Sequence, residues 1–201
     1  MPAQPVTDDR AAEARPDARE RLLAAAVEAF AAKGFHGTTT RDIAAAAGMS
    51  PAALYVHHRS KEDLLHLISR AGHERTLELV REAVASSDDP VEQLRATVRA
   101  FTVQHARGHT TARIVHYELA ALRPEHLEEI LTLRRAIDAE VRGIVERGLA
   151  AGVFRTSDPR LTSVALLSLG VDVARWYRDG GPWPPEQVGE HYAAIALGMV
   201  T

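Results

Sequence analysis

From Asp17 onward, apolar side chains recur at intervals of three and four residues, and the runs are cut repeatedly by helix-start and helix-stop signals. That pattern confines the chain to helices. β-Branched runs are scarce, aromatic residues make up only 5% of the chain, and alanine and leucine dominate the apolar 46%, all of which oppose sheet formation. The expected class is all-α, with nine helices, no strands and no internal repeat.

The punctuation places the helices. Asp17 with Glu20 three residues later has the form of a capping box, and Leu22, Leu23, Ala26, Val27 and Phe30 share one face until Gly34. Thr39 with Asp42 repeats the signal for a short helix through Ile43 that stops at Gly48; Ser50 then caps a third helix that has Pro51 at its first position. A long fourth helix runs from near Ser60 to about Ala85 through Leu64, Ile68, Ala71, Leu77, Val80 and Val84. Asp89-Pro90, Arg123-Pro124, Asp158-Pro159 and Pro184-Pro185 mark later starts or stops, and Gly108, Gly152 and Gly180-Gly181 mark further ends. Residues 1–16 carry three prolines and mixed charges without an apolar period, so they read as a disordered arm. The expected division is 1–16 arm, 17–63 DNA-binding unit and 64–201 effector-binding and dimerisation unit.

Several function classes are excluded or disfavoured. The 201 residues can bury a core without staples, and the absence of cysteine removes disulfides, zinc–thiolate sites and thiol nucleophiles. No run approaches the roughly 20 apolar residues of a membrane span, and the start of the chain lacks a signal-peptide pattern, so the expected compartment is the cytoplasm. His105, His109 and His116 lack a metal-ligand spacing because Gly108 interrupts their helix, and there is no glycine-rich phosphate loop or nucleophile motif. No enzyme activity, cofactor or metal is expected. The net charge of −3 opposes bulk coating of nucleic acid. Between Lys33 and Lys61, however, Asp42 is the sole acid against Lys33, Arg41, Arg59 and Lys61, a local surplus that suits a compact DNA-contacting module.

Two short helices joined by a turn at Gly48, the second opening with small residues, meet the physical requirement of a helix-turn-helix. The residues themselves say more than the spacing. Gly37-Thr38-Thr39-Thr40-Arg41-Asp42-Ile43-Ala44, Ala47-Gly48-Met49-Ser50-Pro51, Ala53-Leu54-Tyr55-Val56-His57 and Ser60-Lys61-Glu62-Asp63-Leu64-Leu65 together resemble the signature of the TetR family of transcriptional regulators. The resemblance is close over residues of about 17 to 70 and looser beyond. It implies a homodimeric repressor on a near-palindromic double-stranded operator, released when a small hydrophobic ligand binds the C-terminal unit. Thr39 and Arg41 would meet a phosphate, Ser50, Pro51, Ala52 and Ala53 would face the major groove, and Tyr55, His57 and Lys61 would clamp the backbone. His58 departs from the family's usual aromatic residue, and it must find a partner or sit partly exposed, because burying it unpaired is costly.

The later helices suit a ligand cavity, with polar groups interrupting apolar stripes. His105, His116, Tyr117 and Arg134 are the polar candidates and Phe101, Leu131 and Ile137 the walls; each also fits an ordinary core or interface role. The segment Asp172-Val173-Ala174-Arg175-Trp176-Tyr177-Arg178 resembles the C-terminal ends of actinobacterial TetR-type regulators of steroid degradation and fatty-acid metabolism, some of which respond to acyl-CoA thioesters. On that resemblance Arg175 and Arg178 would meet the phosphates of an acyl-CoA effector, or serve as rim contacts of a dimer. The last two helices usually form the family's interface, which points to Val164, Leu167, Val171, Tyr192 and Ile195. The alternatives are an effector-independent regulator and a helical interaction module.

Overall fold

Capping chemistry sets the order of the elements. The structure, a computed structural model, describes residues 17–201, so the expected arm lies outside the described residues. Among these there are nine α-helices: α1 (Ala18–Gly37), α2 (Thr40–Ala46), α3 (Pro51–His57), α4 (Lys61–Ala85), α5 (Pro90–Arg107), α6 (His109–Tyr117), α7 (Pro124–Ala150), α8 (Pro159–Trp176) and α9 (Pro185–Gly198). A single 3-10 turn, Leu119–Ala121, separates α6 from α7. Asp17 and Glu20 exchange hydrogen bonds at 2.8 and 3.1 Å, which closes the first capping box. Thr39 and Asp42 close the second at 3.1 and 2.8 Å. Ser50, Ser60, Asp89 and Asp158 cap α3, α4, α5 and α8, and proline opens α3, α5, α7, α8 and α9.

Two helix ends differ from expectation. Gly34 does break α1, at a φ of +69° that favours glycine, but the chain adds one more turn through Phe35 to Gly37. Phe35 is buried in the core, and its N–H donates to the Glu118 carboxylate at 3.1 Å, which holds this turn in place. At the other end, α8 stops at Trp176 and not at Gly180, because Tyr177 turns extended to bury its ring beside Ala106, Val173 and Val188.

Two large apolar clusters, with the smaller one around Tyr177, form the interior. The first joins Leu22, Ala26, Phe30, Ile43 and Leu54 of the three short helices to Leu64, Leu65 and Ile68 of α4, and continues into Ile114 and Val115 of α6 and Ile130 of α7. The second gathers Val80, Leu94, Phe101, Ile137, Val141, Ile144, Leu166 and Ala196. The long helices α4 and α7 thus run through both. Helix α9 lies along α5, where Gly189 permits close approach: a Cβ there would stand 2.7 Å from Val103 and 3.0 Å from the Arg99 carbonyl.

Two glycines of α7 give opposite expectations. A Cβ at Gly148 would stand 1.8 Å from the buried Phe154 ring, whereas at Gly143 its near neighbour is the flexible end of Arg147 at 3.2 Å. Gly148→Ala should destabilise by about 2 kcal/mol through overpacking. Gly143→Ala should stabilise by about 0.5–1 kcal/mol through helix propensity. Urea titrations of the two variants check both signs.

Candidate functional site

The surface carried by α2 and α3 is small and polar, with its single acid already neutralised. Lys33 pairs with Asp42 at 2.9 Å, and this ammonium together with the Thr39 hydroxyl and amide holds the Asp42 carboxyl far below the usual carboxylate range. Arg41, Ser50, Pro51, Ala52 and Tyr55 are exposed, while Ala53 and His57 are half-buried. The Tyr55 hydroxyl lies 3.2 Å from the Thr40 hydroxyl and ties the start of α2 to α3. Two further residues escaped the sequence reading: the half-buried Thr40 has no signal beyond its place in the motif, and Val56 is 80% exposed although apolar. An apolar side chain that folding leaves in water at the end of a reading helix fits contact with a thymine methyl.

Two of the expected contacts are otherwise engaged. The Thr39 hydroxyl donates to Asp42 at 2.7 Å, so its proton is already used within the capping box. The Lys61 ammonium donates to the carbonyls of Phe35 at 2.7 Å and Thr38 at 2.8 Å and sits 4.4 Å from the centre of the Phe35 ring. It works as a clasp between α4 and the end of α1, not as an unoccupied cation. His58 is also unlike its expectation: it is buried, its Nε2 lacks a partner, and burial pushes its pKa down so that the ring is neutral.

The second site is a cavity of about 900 Å³ in the gap between the two apolar clusters. Its walls come from α1 (Leu23, Ala24, Val27), α4 (Leu67 to Leu79), α5 (Phe101, Gln104, His105), α6 (Val115, His116), α7 (Arg134, Ile137) and α8 (Leu167, Val171). Phe101, His105, His116, Arg134 and Ile137 are thereby brought together. Tyr117 is not, since the end of α6 leaves it 62% exposed, and Leu131 lies one turn short of the cavity on α7. Arg175 is exposed and pairs with Asp172 at 2.6 Å; Arg178 is exposed and donates to the carbonyls of Arg175 and Tyr177. Neither reaches the cavity. Leu167 and Val171 wall it instead of joining the outward face of α8, which carries Leu161 and Val164; on α9, Ile195 and Met199 face outward, and Tyr192 is half-buried.

Three histidines give the cavity its polar pole. His105 Nε2 lies 3.2 Å from His116 Nε2, and the His116 ring meets His73 edge-on with centroids 6.1 Å apart. Burial drives the pKa of His105 to about 4 and that of His116 to about 3, and lowers that of His73. Desolvation also lowers that of Arg134. His73, Thr76 and Gln104 were missed, yet a signal exists: Ser69, His73 and Thr76 continue the buried stripe of Leu65 toward Val80 at helical spacing. Near the first turn of α4, Glu62, Asp63 and His126 bring ligand atoms within 4.8 Å of one another. Arg123 pairs with Glu62 at 2.9 Å and Asp63 at 2.8 Å, so the group acts as an ion-pair joint between α4 and α7.

The profile of bacterial regulatory proteins of the tetR family matches residues 22–68, and that of the tetracyclin repressor-like C-terminal domain matches residues 87–200. The chain belongs to the TetR family. It is a helix-turn-helix transcriptional regulator. It is 32% identical over 190 residues to the transcriptional repressor KstR2 of Mycobacterium tuberculosis, covering 91% of this chain and 92% of that one. A tetR-family regulatory protein from Rhodococcus RHA1 superposes with a TM-score of 0.87 at 39% identity, over 92% of this chain and 98% of its own. AibR, in complex with isovaleryl coenzyme A and operator DNA, superposes with a TM-score of 0.81 at 26% identity, over 89% of this chain and 97% of its own.

The buried rings of this TetR-family regulator set a pH dependence of stability. In the unfolded chain His105 and His116 take up protons near their ordinary 6.5, whereas in the fold they resist until about 4 and about 3. The unfolded state therefore binds more protons below 6.5, and stability is complete above that pH and lost as pH falls. The slope is about 1.4 kcal/mol per pH unit for each ring that stays neutral in the fold. Denaturant titrations between neutral pH and pH 5 should show it, and the double variant His105→Gln/His116→Gln should flatten it. An unchanged slope would contradict the burial of neutral rings.

Proposed function

We propose that this regulator is a homodimeric repressor of the cytoplasm that holds a near-palindromic operator with Arg41, Tyr55 and the start of α3, and leaves it when a small molecule fills the cavity. One observation carries the reading: the cavity is walled directly by α1 and α4, the two helices on which α2 and α3 are packed. A ligand there pushes on the DNA-binding unit without an intermediary. The cavity favours this over an effector-independent regulator or an interaction module, and the reading assigns no catalytic role.

The effector we infer has an apolar body, and an acyl-CoA thioester is the leading class, supported by the isovaleryl coenzyme A bound to AibR. A cavity of about 900 Å³ takes an acyl or steroid-sized group and leaves the nucleotide outside. Arg75, Arg99 and Arg107 border it. These three, more than Arg175 and Arg178, are placed for phosphates, with Arg99 and Arg107 now paired to Glu190 and Glu186. For the dimer, the outward faces of α8 and α9 carry Val164, 53% exposed, and Ile195, 41% exposed. Two such faces meeting across a two-fold axis bury both.

Titrating isovaleryl-CoA, longer acyl-CoA thioesters and the corresponding free acids into a fluorescent protein–operator complex tests the reading. A ligand preferring the released state by about 3 kcal/mol cuts occupancy roughly a hundredfold. Release by neither class defeats it. Arg41→Ala should weaken binding to all DNA sequences alike, by about 1–2 kcal/mol. Val164→Glu or Ile195→Glu should yield monomers in analytical ultracentrifugation, and variants that stay dimeric would move the interface elsewhere.

A further inference from the structure

The hydrogen-bond directions inside the cavity can be followed atom by atom, and they end on acceptors without donors. His105 Nδ1 lies 2.8 Å from the Phe101 carbonyl oxygen, which can only accept, so Nδ1 carries the proton and Nε2 of the neutral ring is bare. His116 Nε2 must then donate across the 3.2 Å to His105, which leaves His116 Nδ1 bare. His73 Nδ1 donates to the Ser69 carbonyl at 2.8 Å, which leaves its Nε2 bare. The Thr76 hydroxyl donates to the Gly72 carbonyl at 2.8 Å and so can only accept from Gln104 Nε2 at 2.6 Å; this fixes the amide and leaves Gln104 Oε1 open. His73 Nε2, His116 Nδ1 and Gln104 Oε1 are all buried without a partner. On the same wall, the half-buried Arg134 guanidinium has no acidic partner within ion-pair distance among the described residues.

Unpaired buried acceptors are costly, and nothing in the fold requires these three to stay so. A ligand that fills the cavity without donating to them leaves them unpaired, and one that donates relieves that cost. A site built around acceptors therefore rejects an analogue that lacks the donor. We propose that the group entering the cavity carries an O–H or N–H donor received by His116 Nδ1 or His73 Nε2, and an oxyanion or carbonyl that meets Arg134. The effector is then a hydroxylated acyl or alicyclic molecule and not a plain hydrocarbon chain. The inference rests on the cavity being the effector site. The rings do not form a ready cation site, since with these directions His105 Nε2 is already used and no carboxylate lines the pole.

The test uses full-length protein with ¹⁵N-labelled histidine and three probes of similar shape: cyclohexanol, cyclohexyl methyl ether and methylcyclohexane. Two-bond proton–nitrogen spectra should show His116 Nδ1 and His73 Nε2 unprotonated in the free protein. Cyclohexanol should shift at least one of these resonances and bind about tenfold more tightly than the ether, although the ether is the more apolar. A His73→Phe/His116→Phe variant that retains its fold should lose the preference; the wild-type spectra decide the matter if it does not fold. Protonation of either nitrogen in the free protein, equal or weaker binding of the alcohol, or no response at both nitrogens overturns the proposal. Operator release by acyl-CoA without a hydroxyl preference overturns this inference alone. A hydroxyl preference with no operator release by any ligand overturns the effector reading alone.

Discussion

The ammonium of Lys61 holds the molecule together at the place where its two halves meet. It satisfies the carbonyl of Thr38, adds a second donor to that of Phe35, which the Thr38 N–H also reaches at 3.3 Å, and lies over the Phe35 ring. One residue on, Glu62 and Asp63 bind Arg123 and His126 at the start of α7. The first turn of α4 is thus pinned to α1 on one side and α7 on the other. Exposed ion pairs contribute little, but here Glu62 and Asp63 are largely shielded and the lysine bonds go to backbone carbonyls at the broken helix end. With that turn fixed, the rest of α4 becomes a lever whose far part walls the cavity.

Much of this was legible in the sequence because it depends on local chemistry. Asp17, Thr39, Ser50, Asp89 and Asp158 cap the helices they were expected to cap, since a side-chain oxygen reaching an amide two or three residues on needs no tertiary partner. What escaped depends on partners far away in the chain. Lys61 resembles an unoccupied cation until the carbonyl of Phe35, 26 residues earlier, is seen to occupy it. Tyr177 leaves α8 because α5 and α9 offer its ring a pocket, which no glycine or proline signals. The cavity was half legible: Phe101, His105, His116, Arg134 and Ile137 do converge, but His73 and Gln104 were hidden because a polar residue on an apolar stripe is read first as a lapse in the period.

The histidine pole also explains why the cavity has the composition it has. Leucines at positions 73, 105 and 116 would pack and stabilise the bundle, since replacing buried polar groups by apolar ones of similar shape is often neutral or better. Instead the chain keeps three neutral rings and a guanidinium between two fully apolar clusters. Stability given up at such a place is the usual mark of a site that serves a ligand.

If the cavity takes an effector as proposed, the same packing argument bears on how its arrival would reach α2 and α3. The cavity touches α1 only along Leu23, Ala24 and Val27, while the rest of that helix, with Leu22, Ala25, Ala26 and Phe30, is buried among α2, α3, α4 and α6. A close-packed face of this kind does not compress, so α1 cannot absorb a displacement by deforming on its far side. Nor can it slide along α4, because the Lys61 clasp and the bond from Phe35 to Glu118 fix its end. What remains is motion of α1, α2 and α3 as one body about the pinned first turn of α4. In a dimer such a rotation changes the separation of the two α3 helices, and recognition tolerates little change there, because the major groove repeats about every 34 Å.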